Sequence, residues 1–242
     1  AKDLGRLNLE KGETEQLQAT IEPSNVTDNF VVWSSADMSV ATVDQNGTVK
    51  AVNEGKVTIT VSTANGKKTT CSVTVYTSVP IRTVAELKAI ENDLDGNYKL
   101  AANIDLGKSE WTPIGKDKNT PFTGKLKGNG YQITGLSITD NSQVYSGLFG
   151  YCKGTVTNLT VSGTVSTDGS NGDSYRYAGG IAGFAEKATI EKCTNLVEIN
   201  VSNKNETIGT YTYAGGIVGA ADSSTNIFEC KNEVDIIAVS PK

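Results

Sequence analysis

The 242-residue sequence contains no histidine. That removes histidine-based triads, histidine-ligated zinc or haem, and the side chain that most often serves as a general base near neutral pH. The four cysteines, Cys71, Cys152, Cys193 and Cys230, lack the C-x-x-C spacing of a zinc knuckle or a thioredoxin-like site. Neither a metal, a cofactor nor a redox motif is readable from the chain. No apolar run reaches the roughly 18 residues of a membrane-spanning helix, so no membrane insertion is expected. No signal-peptide pattern opens the chain, whose first residue is Ala1, and a processed protein or an excised piece of one is expected. Positive charge is also short: 22 Lys and Arg against 27 Asp and Glu leave a net charge of −5. The basic footprint that nucleic acid requires is missing, and nucleic acid is excluded as a partner. What remains, 37% hydrophobic and 20% charged residues, is ample for packed cores, and the length suits two domains.

Over residues 1–76, short runs of alternating apolar and polar residues are separated by turn signals, the pattern of an all-β sandwich. Leu17, Ala19 and Ile21 share one parity, as do Val57, Ile59 and Val61, and Cys71, Val73 and Val75. Cys71 therefore points inward as a small, inert core residue. Asn46-Gly47 and Asn65-Gly66 lie between such runs and supply the positive φ values of tight turns. Trp33 sits mid-strand, placed to pack between two sheets. From Leu7 to Val75 the segment resembles the group 2 bacterial immunoglobulin-like domain. The matching residues are Gly12-Glu13-Thr14, Gln16-Leu17-x-Ala19-Thr20, Val32-Trp33-Ser34-Ser35, Val40-Ala41-Thr42-Val43-Asp44, Asn46-Gly47, Gly55 and Thr58-Ile59-Thr60-Val61. The resemblance implies an immunoglobulin-like sandwich that acts as a spacer or a binding tip on a bacterial surface protein.

Residues 77–82 read as a linker in which Pro80 biases Val79 toward an extended conformation. A helix follows over 83–94: Thr83-Val84-Ala85-Glu86 is a capping box, and Val84, Leu87, Ile90 and Leu94 form an apolar stripe. Beyond it the sequence repeats. Ser146-Gly147-Leu148-Phe149-Gly150 recurs at 179–183 and 215–219, Thr155–Leu159 recurs at 189–193 and 226–230, and Gly163-Thr164-Val165 recurs at 197–199 and 234–236. Tyr131–Ile138 reads as a degenerate earlier member, with Ile133 and Leu136 matched to Val156 and Leu159. Three short strands per repeat, glycines at the corners and no helix between them predict a parallel β-helix, a solenoid whose successive coils bring equivalent residues into rows. Surplus residues fall at 167–176 and 202–212, predicting two polar loops on one edge.

Gly147-Leu148-Phe149-Gly150, with Gly180-Ile181-Ala182-Gly183 and Gly216-Ile217-Val218-Gly219, resembles the signature of the GLUG-motif family of bacterial surface proteins. That resemblance covers about Ile81 to Val239 and implies a right-handed β-helix. The expectation for the whole is thus an all-β chain: sandwich 1–76, linker 77–82, and β-helix 83–242 capped at its start by the one α-helix.

In-row residues lead to the candidate sites. Cys193 stacks on Cys230 and Asn195 on Asn232, the second pair placed to bond amide to amide. Tyr177 and Tyr213 precede the glycine strands, with Tyr145 one residue out of register, while Tyr175, Arg176 and Tyr211 fall in the looped-out segments. Aromatic faces with polar rims suit sugars, so Tyr175, Arg176, Tyr177, Tyr211 and Tyr213 form the candidate binding set. Asp93-x-Asp95-Gly96-Asn97 has its glycine too early for a calcium loop, and Asp168, Asp173, Glu206 and Asp222 are scattered carboxylates, so no catalytic set is assigned. The sequence reading is a non-catalytic, extracellular, adhesin-like segment, monomeric on its own, that contacts host or cell-wall glycans or surface proteins. Its alternative is an accessory or remnant part of a β-helical carbohydrate-active enzyme.

Overall fold

A computed structural model describes residues 4–22, 30–168, 175–202 and 211–239. The chain is almost entirely β and divides into two compact units, 1–78 and 79–242.

In the first unit, Arg6–Glu10 pairs parallel with Lys68–Tyr76, which continues antiparallel into Gly55–Thr63 and Val31–Ser35. A second sheet holds Thr14–Gln16, Thr48–Ala51 and Ala41–Val43. The inward parity places Val57, Ile59, Val61, Cys71, Val73 and Val75 in one core with Trp33. Leu17, Ala19 and Ile21 keep their alternating burial but lie beyond the end of the Thr14–Gln16 strand. Gly47 closes the turn between Ala41–Val43 and Thr48–Ala51 with φ +88°, and it also makes room for Trp33. A Cβ there would lie 2.7 Å from the Leu17 carbonyl and 3.0 Å from the indole. The Gln45 side chain clamps the same tryptophan strand, accepting from Trp33 N at 3.3 Å and donating to Trp33 O at 3.1 Å.

The second unit begins earlier than the linker reading allows. Val79–Ile81 is a strand, parallel to Asn97–Leu100 with Ile81 beside Leu100. It is the outermost strand of its sheet, where the missing N–H of Pro80 is tolerated. The capping box forms as expected: Thr83 Oγ1 accepts from Glu86 N at 3.2 Å, and the Glu86 carboxylate accepts from Thr83 N at 3.1 Å. The helix itself is shorter, α over Val84–Lys88 and 3₁₀ over Ala89–Asn92. Leu87 and Ile90, three residues apart, are both fully buried, a spacing that a threefold turn aligns on one side.

Among the described residues, every sheet of this unit is parallel. One runs Val79–Ile81, Asn97–Leu100, Lys125–Lys127, Thr155–Thr157, Thr189–Glu191, Asn226–Phe228. Another runs Ile104–Asp105, Gln132–Ile138, Thr160–Thr167, Thr194–Ser202, and ends on Lys231–Asn232 and Ile236–Val239. Two three-stranded sheets collect Tyr145–Ser146, Tyr175–Gly179 and Tyr211–Gly215, and Phe149–Cys152, Ala182–Ala185 and Val218–Ala221. The three repeats from Tyr145 onward therefore contribute to four sheets each, not to three. The glycine signature straddles a corner: Gly147-Leu148 lies between two short strands of different sheets, and Phe149-Gly150 opens the second of them. Ile181 N donates to Ile217 O at 3.0 Å across neighbouring repeats. The degenerate member aligns differently from its sequence match: Ile133 lies beside Val161, and a bulge brings Leu136 beside Gly163.

One apolar cluster fills this unit, with Phe122 stacked on Phe149 at 4.6 Å. Asn195 is a polar member of the interior, fully buried, and its amide donates to Asn232 Oδ1 at 2.8 Å. All four cysteines are free thiols, Cys193 N donating to Cys230 Sγ at 3.4 Å. Burial pushes the Cys152 and Cys193 thiols up to about 12, so both stay protonated and unreactive at neutral pH. Ellman's reagent is expected to titrate one thiol of the folded protein, the half-buried Cys230, and the remaining three only after denaturation.

Candidate functional site

The candidate site is built on the short sheet Tyr145–Ser146, Tyr175–Gly179, Tyr211–Gly215. Alternation along the strand sends Tyr175 and Tyr177 to one face, and the in-register neighbour repeats this with Tyr211 and Tyr213. Tyr175, Tyr211 and Tyr213 are 44%, 48% and 40% exposed. The rings form two columns. Tyr145, Tyr177 and Tyr213 stack with centroids 5.1 Å apart at each step and interplanar angles of 12° and 7°. Tyr175 and Tyr211 stack at 5.6 Å and 20°. The columns stand side by side, with Tyr175 and Tyr177 6.3 Å apart and nearly parallel. Tyr145 is in register with Tyr177, contrary to the sequence alignment. The corner between Ser146 and Phe149 is one residue shorter than its successor, so the two strands flanking it are offset from the next repeat by different amounts.

Four of the five predicted residues are thus brought together on strands, where Tyr175 and Tyr211 had been expected in loops. Arg176 is not among them. It points the opposite way, is 1% exposed, and donates to Asn141 O at 2.6 Å and to Gln143 O at 2.9 Å. Strand alternation requires this inversion, since Arg176 lies between two outward tyrosines. Most of the two looped-out segments, with Asp173 and Glu206, lies outside the described residues. Asp168 lines a polar groove with Thr139, Asn141, Thr167 and Asn200.

A third aromatic column adjoins these two and was missed in the sequence. Tyr151 stacks on Phe184 at 5.0 Å, and the two meet Tyr145 and Tyr177 edge-on. The signal was present, because both rings lie two residues past equivalent positions, Phe149 and Ala182. Burial raises the Tyr145 and Tyr177 phenols above the ordinary tyrosine value. Tyr151 is raised by burial and by its 2.7 Å hydrogen bond to the Glu186 carboxylate. These phenols stay neutral at physiological pH and act as hydroxyl donors and acceptors. Among the described residues no cluster of three or more acidic or cysteine side chains is placed to hold a metal ion, and no helix is long and apolar enough to cross a membrane.

Comparison with known proteins assigns the first unit to a class. Residues 5–73 match the bacterial Ig-like domain (group 2), and this segment is such a domain. An uncharacterised protein of Clostridium acetobutylicum is 47% identical over 72 residues, 28% of this chain and 18% of that protein. A lacto-N-biosidase of Bifidobacterium bifidum is 46% identical over 71 residues, 29% of this chain and 6% of the enzyme. A 3-O-alpha-D-galactosyl-alpha-L-arabinofuranosidase of Bifidobacterium longum subsp. longum is 39% identical over 93 residues, 38% of this chain and 8% of the enzyme. The chain spans less than a fifth of the length of each of these relatives.

Proposed function

We propose that this chain is a non-catalytic, extracellular segment of a bacterial surface protein, in which the Ig-like sandwich is a spacer and the tyrosine face of the second unit contacts glycans. In this reading the parallel sheets are the sides of one right-handed β-helix of the GLUG-motif type, with the helix at Val84–Lys88 over its first coil. Support comes from the regular threading, since from Tyr145 onward each repeat visits the four sheets in the same order and pairs parallel with the previous one. The observation that carries the binding role is the exposed tyrosine array. Stacked, pre-ordered rings lose little conformational entropy on binding and present a row of hydroxyls beside apolar edges. That combination suits a polyol with alternating C–H and O–H groups. The alternative, an accessory piece of a carbohydrate-active enzyme, is favoured by the presence of glycosidases among the relatives and would use the same face.

A glycan array probed with the purified chain tests the reading. Binding to a set of glycans is expected, weakened about tenfold or more in a Tyr175→Ala, Tyr211→Ala double variant. An array with no signal from a folded chain would reduce the segment to a stalk, and turnover of any bound glycan would overturn the non-catalytic role.

A further inference from the structure

The aromatic column beside the tyrosine face is interrupted at one position. Pairing registers place Tyr151, Phe184 and Ala220 side by side on neighbouring strands. In the first repeat Tyr151 meets Tyr145 edge-on at 5.3 Å and 79°, and in the second Phe184 meets Tyr177 edge-on at 5.4 Å and 88°. In the third, Tyr213 continues its own stack, but the residue beside it is Ala220. The Phe184 ring is covered by Tyr151 on one side and looks across a methyl group on the other. A notch results, with an aromatic face on one wall, the half-exposed Tyr213 on the second and Ala220 as its floor.

We infer that this notch is a subsite for a single pyranose ring, which stacks an apolar C–H face on Phe184 and meets Tyr213 edge-on. The sugar takes the position that an aromatic six-membered ring occupies in each of the other two repeats. The inference rests on the reading that this face binds glycans and adds where one sugar sits. The rim supplies the polar part. Glu186 and Asp222 follow Phe184 and Ala220 by two residues, each immediately past the end of its strand. The Tyr151 hydroxyl donates to Glu186 across one repeat at 2.7 Å, and the same step from the Phe184 ring, on which the sugar stacks, leads to Asp222. Both carboxylates are held below the ordinary range, Glu186 by the Tyr151 hydroxyl and Asp222 by Thr225, and remain ionised acceptors. Lys153 pairs with Glu186 at 3.1 Å and the Lys187 charge acts on both carboxylates, so the rim offers ionised acceptors to hydroxyl donors without a net negative charge.

The experiment is a titration of ¹⁵N-labelled chain with methyl β-D-glucopyranoside and methyl β-D-galactopyranoside. The largest amide shifts are expected at Phe184 and across 218–221 for at least one of the two sugars. Ala220→Phe completes the column and is expected to weaken that sugar about tenfold, the worth of one lost stacking contact, while Lys50→Ala, at an exposed position of the first unit, leaves it unchanged. Unaltered affinity in Ala220→Phe, shifts centred on Tyr175 and Tyr211, or no shift by either sugar each overturns the subsite. The wild-type shift map decides the matter by itself if Ala220→Phe does not fold. A glycan array that still gives signal alongside such a failure leaves the binding face standing and removes only the notch.

Discussion

Gly180→Ala is expected to destabilise the second unit by about 3–5 kcal/mol, read as the shift of its urea unfolding transition by circular dichroism. The reason lies in a neighbouring strand. A Cβ on Gly180 would collide with Oδ1 of Asn195, which is fully buried and cannot turn aside. Its Oδ1 accepts from Val197 N at 3.0 Å, and its amide donates to Val197 O at 3.1 Å and to Asn232 Oδ1 at 2.8 Å. Moving the side chain breaks these bonds inside an apolar cluster, where each orphaned polar group costs about 1–3 kcal/mol. Crowding of the core adds a further 1–3 kcal/mol, roughly. Gly216→Ala provides the graded control. It meets Asn232 Oδ1 in the same way, yet Asn232 is exposed and has room to yield, so a smaller loss is expected. Combining Gly180→Ala with Asn195→Ala should cost less than the sum of the two, with a coupling of about 1–3 kcal/mol. Strict additivity would mean that the glycine does not exist to seat the asparagine.

The same pair shows what the sequence made legible. Asn195 and Asn232, like Ile181 and Ile217, were placed in rows by the repeat steps alone, and the bonds between them follow those rows. Periodicity encodes row membership because parallel neighbours in register must carry side chains that fit one above another. Corners encode much less. The turn between Tyr145–Ser146 and Phe149–Cys152 absorbs one residue, so a gapless alignment of the glycine signature misplaces Tyr145 while placing Phe149 correctly. Val79–Ile81 was hidden for another reason: proline in an exposed linker and proline on a sheet edge have the same local signature, and only the partner strand separates them. The capping box was readable because it is a contact within four residues, whereas the switch from α to 3₁₀ depends on how Leu87 and Ile90 meet the core. The Tyr151–Phe184 column was available from the same alignment that found the glycines. It passed unnoticed because Ala220 ends it after two members.

Arg176 separates a structural role from a binding role most sharply. Arg176→Met keeps the length and the apolar stem and removes every donor. It is expected to cost about 3–5 kcal/mol, the loss of two hydrogen bonds from a buried cation. Those bonds hold the carbonyls of Asn141 and Gln143, and through them the turn in which Asp140 accepts from Ser142 N at 2.8 Å. The guanidinium also helps keep the Asp140 carboxyl below its ordinary range, after the larger contributions of the Ser142 bonds. Arg176→Lys retains the charge but replaces a two-pronged donor with a point charge, and should recover only part of the loss. The tyrosine side chains stay on the opposite face of the strand, so the glycan affinity of the folded fraction should be unchanged in both variants. A variant as stable as the parent that has lost its glycan affinity would return Arg176 to the binding face. Unfolding curves and binding isotherms on the same samples distinguish the two, because alternation along Tyr175–Gly179 permits the arginine only one of these roles.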